Sequence, residues 1–191
     1  MAQLPALFKS DVNPIATTTL RDIGSEICAL DTIQQEMERL PNGTRRLAVL
    51  LRLSLEPELL WSVLTDYNNL SGFIPNLASS RLLWRKGAVV GLEQVGSQQF
   101  CGLRFSARVE LELTEQESNG CLCFRMSCGD FRRFEGIWRI DRDTSATRLY
   151  YELTVQGRPG MPIGMIEKQL REDLAANLRA VQQEALRRAT S

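Results

Sequence analysis

Leu103-Arg104-Phe105-Ser106-Ala107-Arg108-Val109-Glu110-Leu111-Glu112-Leu113 is the stretch on which the fold turns. Its odd positions are apolar and its even positions are charged or hydroxylated. Successive side chains of a strand point to opposite faces, so this alternation predicts a strand over 103–115 with one apolar and one wet face. One-sided strands of this kind belong to antiparallel sheets. Toward the C-terminus, Glu117-Ser118-Asn119-Gly120 reads as a turn. Leu122, Phe124 and Met126 then alternate over 120–127, and Cys128-Gly129-Asp130 turns the chain again. In the next strand, 131–141, Phe134, Gly136, Trp138 and Ile140 share a face. Beyond the loop Asp141–Ser145, Thr147, Leu149, Tyr151, Leu153 and Val155 alternate over 146–156.

Toward the N-terminus the same reading predicts strands at 79–86 and 88–100, joined near Lys86-Gly87. A further strand at 44–55 carries Leu47, Val49, Leu51, Leu53 and Leu55 on one side. Glu56-Pro57-Glu58 marks a short helix, because proline is tolerated in the first turn and acids suit the positive helix end. Asn68-Asn69 stops it, and a second helical turn carries Leu70 and Phe73 before Ile74-Pro75-Asn76. Residues 31–40 fit either a helix end or the first arm of a hairpin closed by Pro41-Asn42-Gly43; the hairpin is preferred. Residues 1–30, with Pro5, Pro14 and Thr17-Thr18-Thr19, read as an N-terminal extension to a domain spanning 31–191.

Gly157, Pro159, Gly160 and Pro162 end the strand run, and a long helix follows at about 163–188. Ile163, Ile166, Leu170, Leu174, Leu178 and Val181 form its apolar stripe, spaced by three or four. Strands segregated from helices predict an α+β domain with an antiparallel sheet. One long amphipathic helix must cover the apolar face of that sheet. A sheet curved around a single helix does not close on side chains alone, so an apolar cavity between them is expected.

Trp61-Ser62-Val63-Leu64-Thr65-Asp66-Tyr67-Asn68-Asn69-Leu70, continuing through Phe73, Pro75 and Asn76 to Ser80, resembles the signature of the polyketide cyclase/dehydrase family. That family is similar to coenzyme-Q-binding proteins and START lipid-transfer domains. Glu93-Gln94-Val95-Gly96, Gly129-Asp130-Phe131, Gly136-Ile137-Trp138 and the terminal pattern Pro162, Leu170, Asp173-Leu174, Asn177-Leu178 resemble it too, over roughly residues 32–186. The resemblance implies the helix-grip fold, a curved antiparallel sheet wrapped around a long C-terminal helix. It further implies a hydrophobic cavity with no metal and no bound cofactor.

Composition restricts the chemistry. Lys plus Arg and Asp plus Glu number 23 each, so the electrostatic excess of a general nucleic-acid binder is missing. With no histidine, serine–histidine and cysteine–histidine catalysis and every histidine metal site are excluded. The cysteines are Cys28, Cys101, Cys121, Cys123 and Cys128. The spacing of Cys121, Cys123 and Cys128 suits zinc poorly, so free thiols are expected. The opening residues Met1–Pro14 lack a basic leader and a long apolar core, so a cytoplasmic, reducing compartment is expected.

The cavity candidates are Phe73, Ile74, Leu92, Phe105, Phe124, Trp138, Tyr151, Ile166, Leu170 and Leu174. Trp61, Tyr67 and Pro75 are weighed for the cavity mouth, though for Trp61 packing of the short helix on the sheet is the preferred reading. Gly157–Pro162 has the composition of a gate, since glycine permits a hinge and proline limits where it bends. Asp66, Glu93 and Asp130 are candidate acids if they face the cavity, and turn or surface residues otherwise. Arg132-Arg133 and Arg187-Arg188 suit a transient membrane contact or, with Glu135 and Glu184 nearby, solvated ion pairs. The expected function is to bind or carry a hydrophobic small molecule that is lipid-, isoprenoid-, quinone- or polyketide-like. The alternatives are a cyclase or dehydrase acting on a polyketide-like substrate, and an assembly factor holding a partner segment. Neither the ligand nor the oligomeric state is fixed by the sequence.

Overall fold

The computed structural model describes the backbone of residues 30–100, 103–161 and 163–190, and side chains within those ranges except 98–105 and 163–166. The N-terminal extension expected at 1–30 thus lies outside the described residues, save for Leu30. The elements are β1 (Ile33–Arg39), β2 (Arg45–Leu53), α1 (Pro57–Leu64), a 3-10 turn (Leu70–Gly72), β3 (Leu77–Lys86), β4 (Val89–Phe100), β5 (Leu103–Gln116), β6 (Cys121–Gly129), β7 (Phe131–Arg142), β8 (Thr147–Gly157) and α2 (Ile163–Ala189), with two further 3-10 turns at Pro41–Gly43 and Glu117–Asn119.

All eight strands form one sheet in the order β1-β2-β8-β7-β6-β5-β4-β3, and every neighbouring pair is antiparallel. From β3 to β8 each strand pairs with its successor. The single long excursion lies between β2 and β3, where α1 and the 3-10 turn carry the chain to the far edge. Residues 31–40 are the hairpin arm: Ile33 pairs with Leu51 and Met37 with Leu47. The connection is short because Asn42 adopts a left-handed φ of 58°, which asparagine tolerates. The turn after β5 uses the same device at Gly120, φ 59°. A Cβ there would come within 2.1 Å of the Ile140 carbonyl oxygen.

Alternation places Leu47, Val49, Leu51 and Leu53 of β2 in the core, each at most 2% exposed. Leu149, Leu153 and Val155 of β8 join them. From the other side come Leu60 and Val63 of α1 and Leu178, Val181 and Ala185 of α2, all 0% exposed. Gly136 of β7 sits opposite Phe124 of β6. A Cβ at that position would lie 2.0 Å from the Glu152 carbonyl oxygen and 2.6 Å from the Phe124 ring, so only glycine allows that ring to lie across β7.

Both ends of α2 are tied down by charge. Near its start, the Glu167 carboxylate accepts from Arg39 of β1 and Arg45 of β2, each at 2.8 Å. Hydrogen bonds from these guanidinium groups hold its pKa down at about 2. Near its end, Arg188 bridges Glu184 at 2.8 Å and Asp66 beyond α1 at 2.7 Å.

Candidate functional site: an apolar cavity under the long helix

Between the first half of α2 and the concave face of the sheet lies a cavity of about 400 Å³. This falls in the size range of small-molecule sites. Of the expected lining residues, Leu92, Phe124, Trp138 and Tyr151 reach it from the sheet. Ile74 reaches it from the segment after the 3-10 turn, and Leu170 and Leu174 from α2. Phe73 does not line it; the side chain packs at the edge of the core instead. The reason is local geometry. Phe73 ends the 3-10 turn at φ −137° and ψ −24°, outside helical dihedrals, so helical spacing from Leu70 does not set its direction. The side chains of Phe105 and Ile166 lie outside the described residues. At the expected mouth, Tyr67 and Pro75 line the cavity, whereas Trp61 packs against the core.

The sheet side of the cavity is an aromatic wall. Trp138 on β7 stands opposite Tyr151 on β8, and their rings stack 4.0 Å apart at 3°. Phe124 meets Tyr151 at 6.1 Å and Phe134 at 5.9 Å, and Phe131 meets Phe134 at 5.2 Å. The Trp138–Tyr151 stack follows from register, since directly opposed residues on neighbouring strands share a face; Phe124 stands opposite Gly136, and its ring reaches Tyr151 and Phe134 across that glycine.

The helix side adds polar groups that the apolar pattern did not select. Asp173 and Asn177 line the cavity beside Leu170 and Leu174, and Asn76 and Gln94 approach from the other side. The Asp173 carboxylate accepts from Asn76 Nδ2 at 3.0 Å and from Gln169 Nε2 at 3.1 Å. Burial, reinforced by the Asp173 charge, pushes the Tyr151 phenol above its ordinary pKa, so it stays protonated. Asn177 Oδ1 is buried without a hydrogen-bond partner among the described residues. A signal for Asp173 and Asn177 existed: 170, 173, 174 and 177 follow i, i+3, i+4, i+7, the inward stripe itself.

The candidate acids are elsewhere. Asp66 accepts from Asn69 and Arg188. Glu93 is held below the usual carboxylate range by hydrogen bonds from Arg108 and Arg81. Asp130 Oδ2 accepts from the Arg108 backbone N–H at 2.7 Å. None of the three lines the cavity. Tyr67 spans the wall, donating from its hydroxyl to Glu115 Oε1 at 2.6 Å, where Arg85 also binds. The basic pairs take up local partners, Arg133 with Glu135, and Arg187 and Arg188 with Glu184. Cys121, Cys123 and Cys128 are free thiols, and Cys28 and Cys101 lie outside the described residues. Among the described residues no group of three metal-ligating side chains converges, and no helix is long and apolar enough to cross a membrane.

With this geometry the comparisons with known proteins agree. The profile of the family described as "Polyketide cyclase / dehydrase and lipid transport" matches residues 53–182. The chain belongs to this family. Curated proteins return no match. Among solved structures, a STAR-related lipid transfer protein from Xanthomonas axonopodis aligns with TM-score 0.70 at 16% identity, covering 83% of this chain and 96% of that one. A protein from Thermus thermophilus aligns with TM-score 0.66 at 21% identity, covering 76% and 99%. The Zhui aromatase/cyclase of a Streptomyces species aligns with TM-score 0.65 at 17% identity, covering 76% and 96%. At these identities the likeness establishes the shared helix-grip fold. The family itself spans lipid transfer and polyketide aromatase/cyclase proteins.

Proposed function

We propose that this protein binds and carries a hydrophobic small molecule in the cavity under α2. The observation that supports this best is the lining. Aliphatic and aromatic side chains dominate it, and among the described residues no lysine or arginine reaches it. Moving an apolar ligand from water into such a space contributes about 25 cal/mol per Å² buried, less the ordering losses. Gly157–Met161 then serves as the gate. Arg158 clasps that segment to the β6–β7 turn, donating to the Gly129 carbonyl at 2.7 Å and to the Phe131 carbonyl at 3.4 Å. Phe131 is itself part of the lining, so opening the clasp would loosen one wall.

Native mass spectrometry of freshly purified protein, followed by solvent extraction, tests the proposal. A co-purifying apolar molecule released by extraction is the expected result. Failure of the protein to retain its own extract or any apolar probe contradicts it.

One observation favours a second reading, a cyclase or dehydrase. Tyr151 and Asp173 are an ionisable pair inside the cavity, as acid–base chemistry requires. The state of the phenol opposes it. A phenol with a raised pKa gives up its proton reluctantly, and the Asp173 carboxylate is already engaged by Asn76 and Gln169. Carriage is therefore the first reading.

A further inference from the structure

The lining is asymmetric: β6, β7 and β8 present aromatic rings, while α2 opposite them presents an acid and a buried amide, Asp173 and Asn177. We infer that Asn177 and Asp173 form a polar pole that selects a neutral, hydroxyl-bearing ligand with a ring-containing body and rejects carboxylates. This rests on the carrier reading and names the ligand chemistry for the same cavity.

Three observations carry it. Asn177 Oδ1 is a buried acceptor with no hydrogen-bond partner among the described residues, and such a group is costly unless a ligand or water donates to it. Asp173, one helical turn before it, is an acid on the same wall. Among the described lining residues there is no cation to compensate an anionic head. A ligand carboxylate entering here would lose its hydration, meet the Asp173 charge in a poorly screened space and find no cation among the described lining residues. A hydroxyl differs in each respect. It carries no charge, and it donates one proton, which the Asn177 oxygen accepts. The opposite wall supplies the second half of the selection. Trp138, Tyr151, Phe124 and Phe134 present ring surface, which favours a ring-bearing body over a thin flexible chain. The ligand would lie between the walls with its hydroxyl toward α2.

Three probes with one skeleton test this: 1-pyrenebutanol, 1-pyrenebutyrate and 1-butylpyrene, titrated at neutral pH against the wild type, Asn177→Leu and Asp173→Asn. Pyrene emission reports binding, and a thermal melt of each variant reports folding. The wild type is expected to bind the alcohol at least about tenfold more tightly than the carboxylate. Asn177→Leu should weaken the alcohol about tenfold while leaving butylpyrene unchanged or tighter. Asp173→Asn should bring the carboxylate closer to the alcohol. Equal binding of alcohol and carboxylate by the wild type overturns the inference, as does an Asn177→Leu variant with an unchanged alcohol-to-butylpyrene ratio. If Asp173→Asn fails to fold because the new amide NH2 is left without an acceptor, the wild-type ranking and the Asn177→Leu ratio still decide. Binding of none of the probes by the wild type is a different failure, since it contradicts the carrier reading itself.

Discussion

The two halves of α2 share one apolar stripe but meet different surroundings. The C-terminal half lies against α1 as well as the sheet, and Leu178, Val181 and Ala185 are sealed with Leu60 and Val63 at 0% exposure. Among the described residues the N-terminal half has no second helix packed along it. There Leu170 and Leu174 look across a cavity to the aromatic wall. The presence of α1 under one half and its absence under the other separates the part that holds the fold from the part free to hold a ligand. It also divides the charges. The cavity half is anchored at its start by the Glu167–Arg39–Arg45 cluster, on the β1–β2 hairpin. The sealed half is anchored by Arg188 to Glu184 and Asp66.

The comparison is broken most severely in the sealed half. Leu178→Ala should destabilise the protein by about 2–5 kcal/mol, the range for a large-to-small change in a filled core. Affinity per folded molecule for an apolar probe should stay unchanged, because Leu178 does not line the cavity. Denaturant unfolding paired with probe titration reads both. A loss of affinity with little loss of stability would mean the halves are not separate.

Next in size is Gly136→Ala on the sheet. A methyl group there meets the Glu152 carbonyl and the Phe124 ring, so overpacking should cost about 1–3 kcal/mol. Phe124 belongs to the cavity wall, so probe affinity should fall as well. A variant as stable as the wild type would show that the backbone yields there.

The anchor at the start of α2 gives a pH test. Glu167 has its pKa lowered from an ordinary 4.5 to about 2. A carboxylate with a depressed folded pKa contributes stability that is present above its unfolded pKa and is lost as pH falls toward its folded pKa. The Glu167 contribution should therefore be constant at neutral pH and disappear between about 4.5 and about 2. Glu184, lowered to about 2 by hydrogen bonds from Arg187 and Arg188, titrates in the same window in the other half. Glu167→Gln should flatten part of the acid limb, and hydrogen exchange should rise first in the β1–β2 hairpin and the opening turns of α2. Exchange rising first at the C-terminal end of α2 would reverse the assignment.

Much of this division could be read in the sequence, for reasons particular residues make plain. Period two in 103–113 and period 3.6 in 163–188 are unambiguous because each element buries one face. Residues 31–40 were ambiguous because Ile33 and Met37, four apart, fit a helix face and a strand face equally. Pairing with β2 decides it, and pairing is a property of two segments. The cavity was legible as an expected consequence of one helix over a curved sheet. Its aromatic wall was legible in part, since Phe124, Trp138 and Tyr151 sit at inward parity. Phe73 was misplaced because a 3-10 turn sets its direction and carries little periodicity. Asp173 and Asn177 were missed as cavity residues because polar positions on an amphipathic helix read as its wet side. They lie within the stripe, and a polar residue within a stripe is the signal to follow.

The most direct test of the central claim places one large side chain in each half, as Leu174→Trp and Leu178→Trp, with a denaturation curve and a titration of a fluorescent apolar probe on each. If the cavity is empty space under the first half alone, Leu174→Trp should cost less than about 1 kcal/mol and abolish probe binding, while Leu178→Trp should cost about 1–3 kcal/mol or more and leave the affinity of the folded fraction intact. Equal, large destabilisation by both, together with no probe binding by the wild type, would show that α2 covers a packed core along its whole length and would contradict the account.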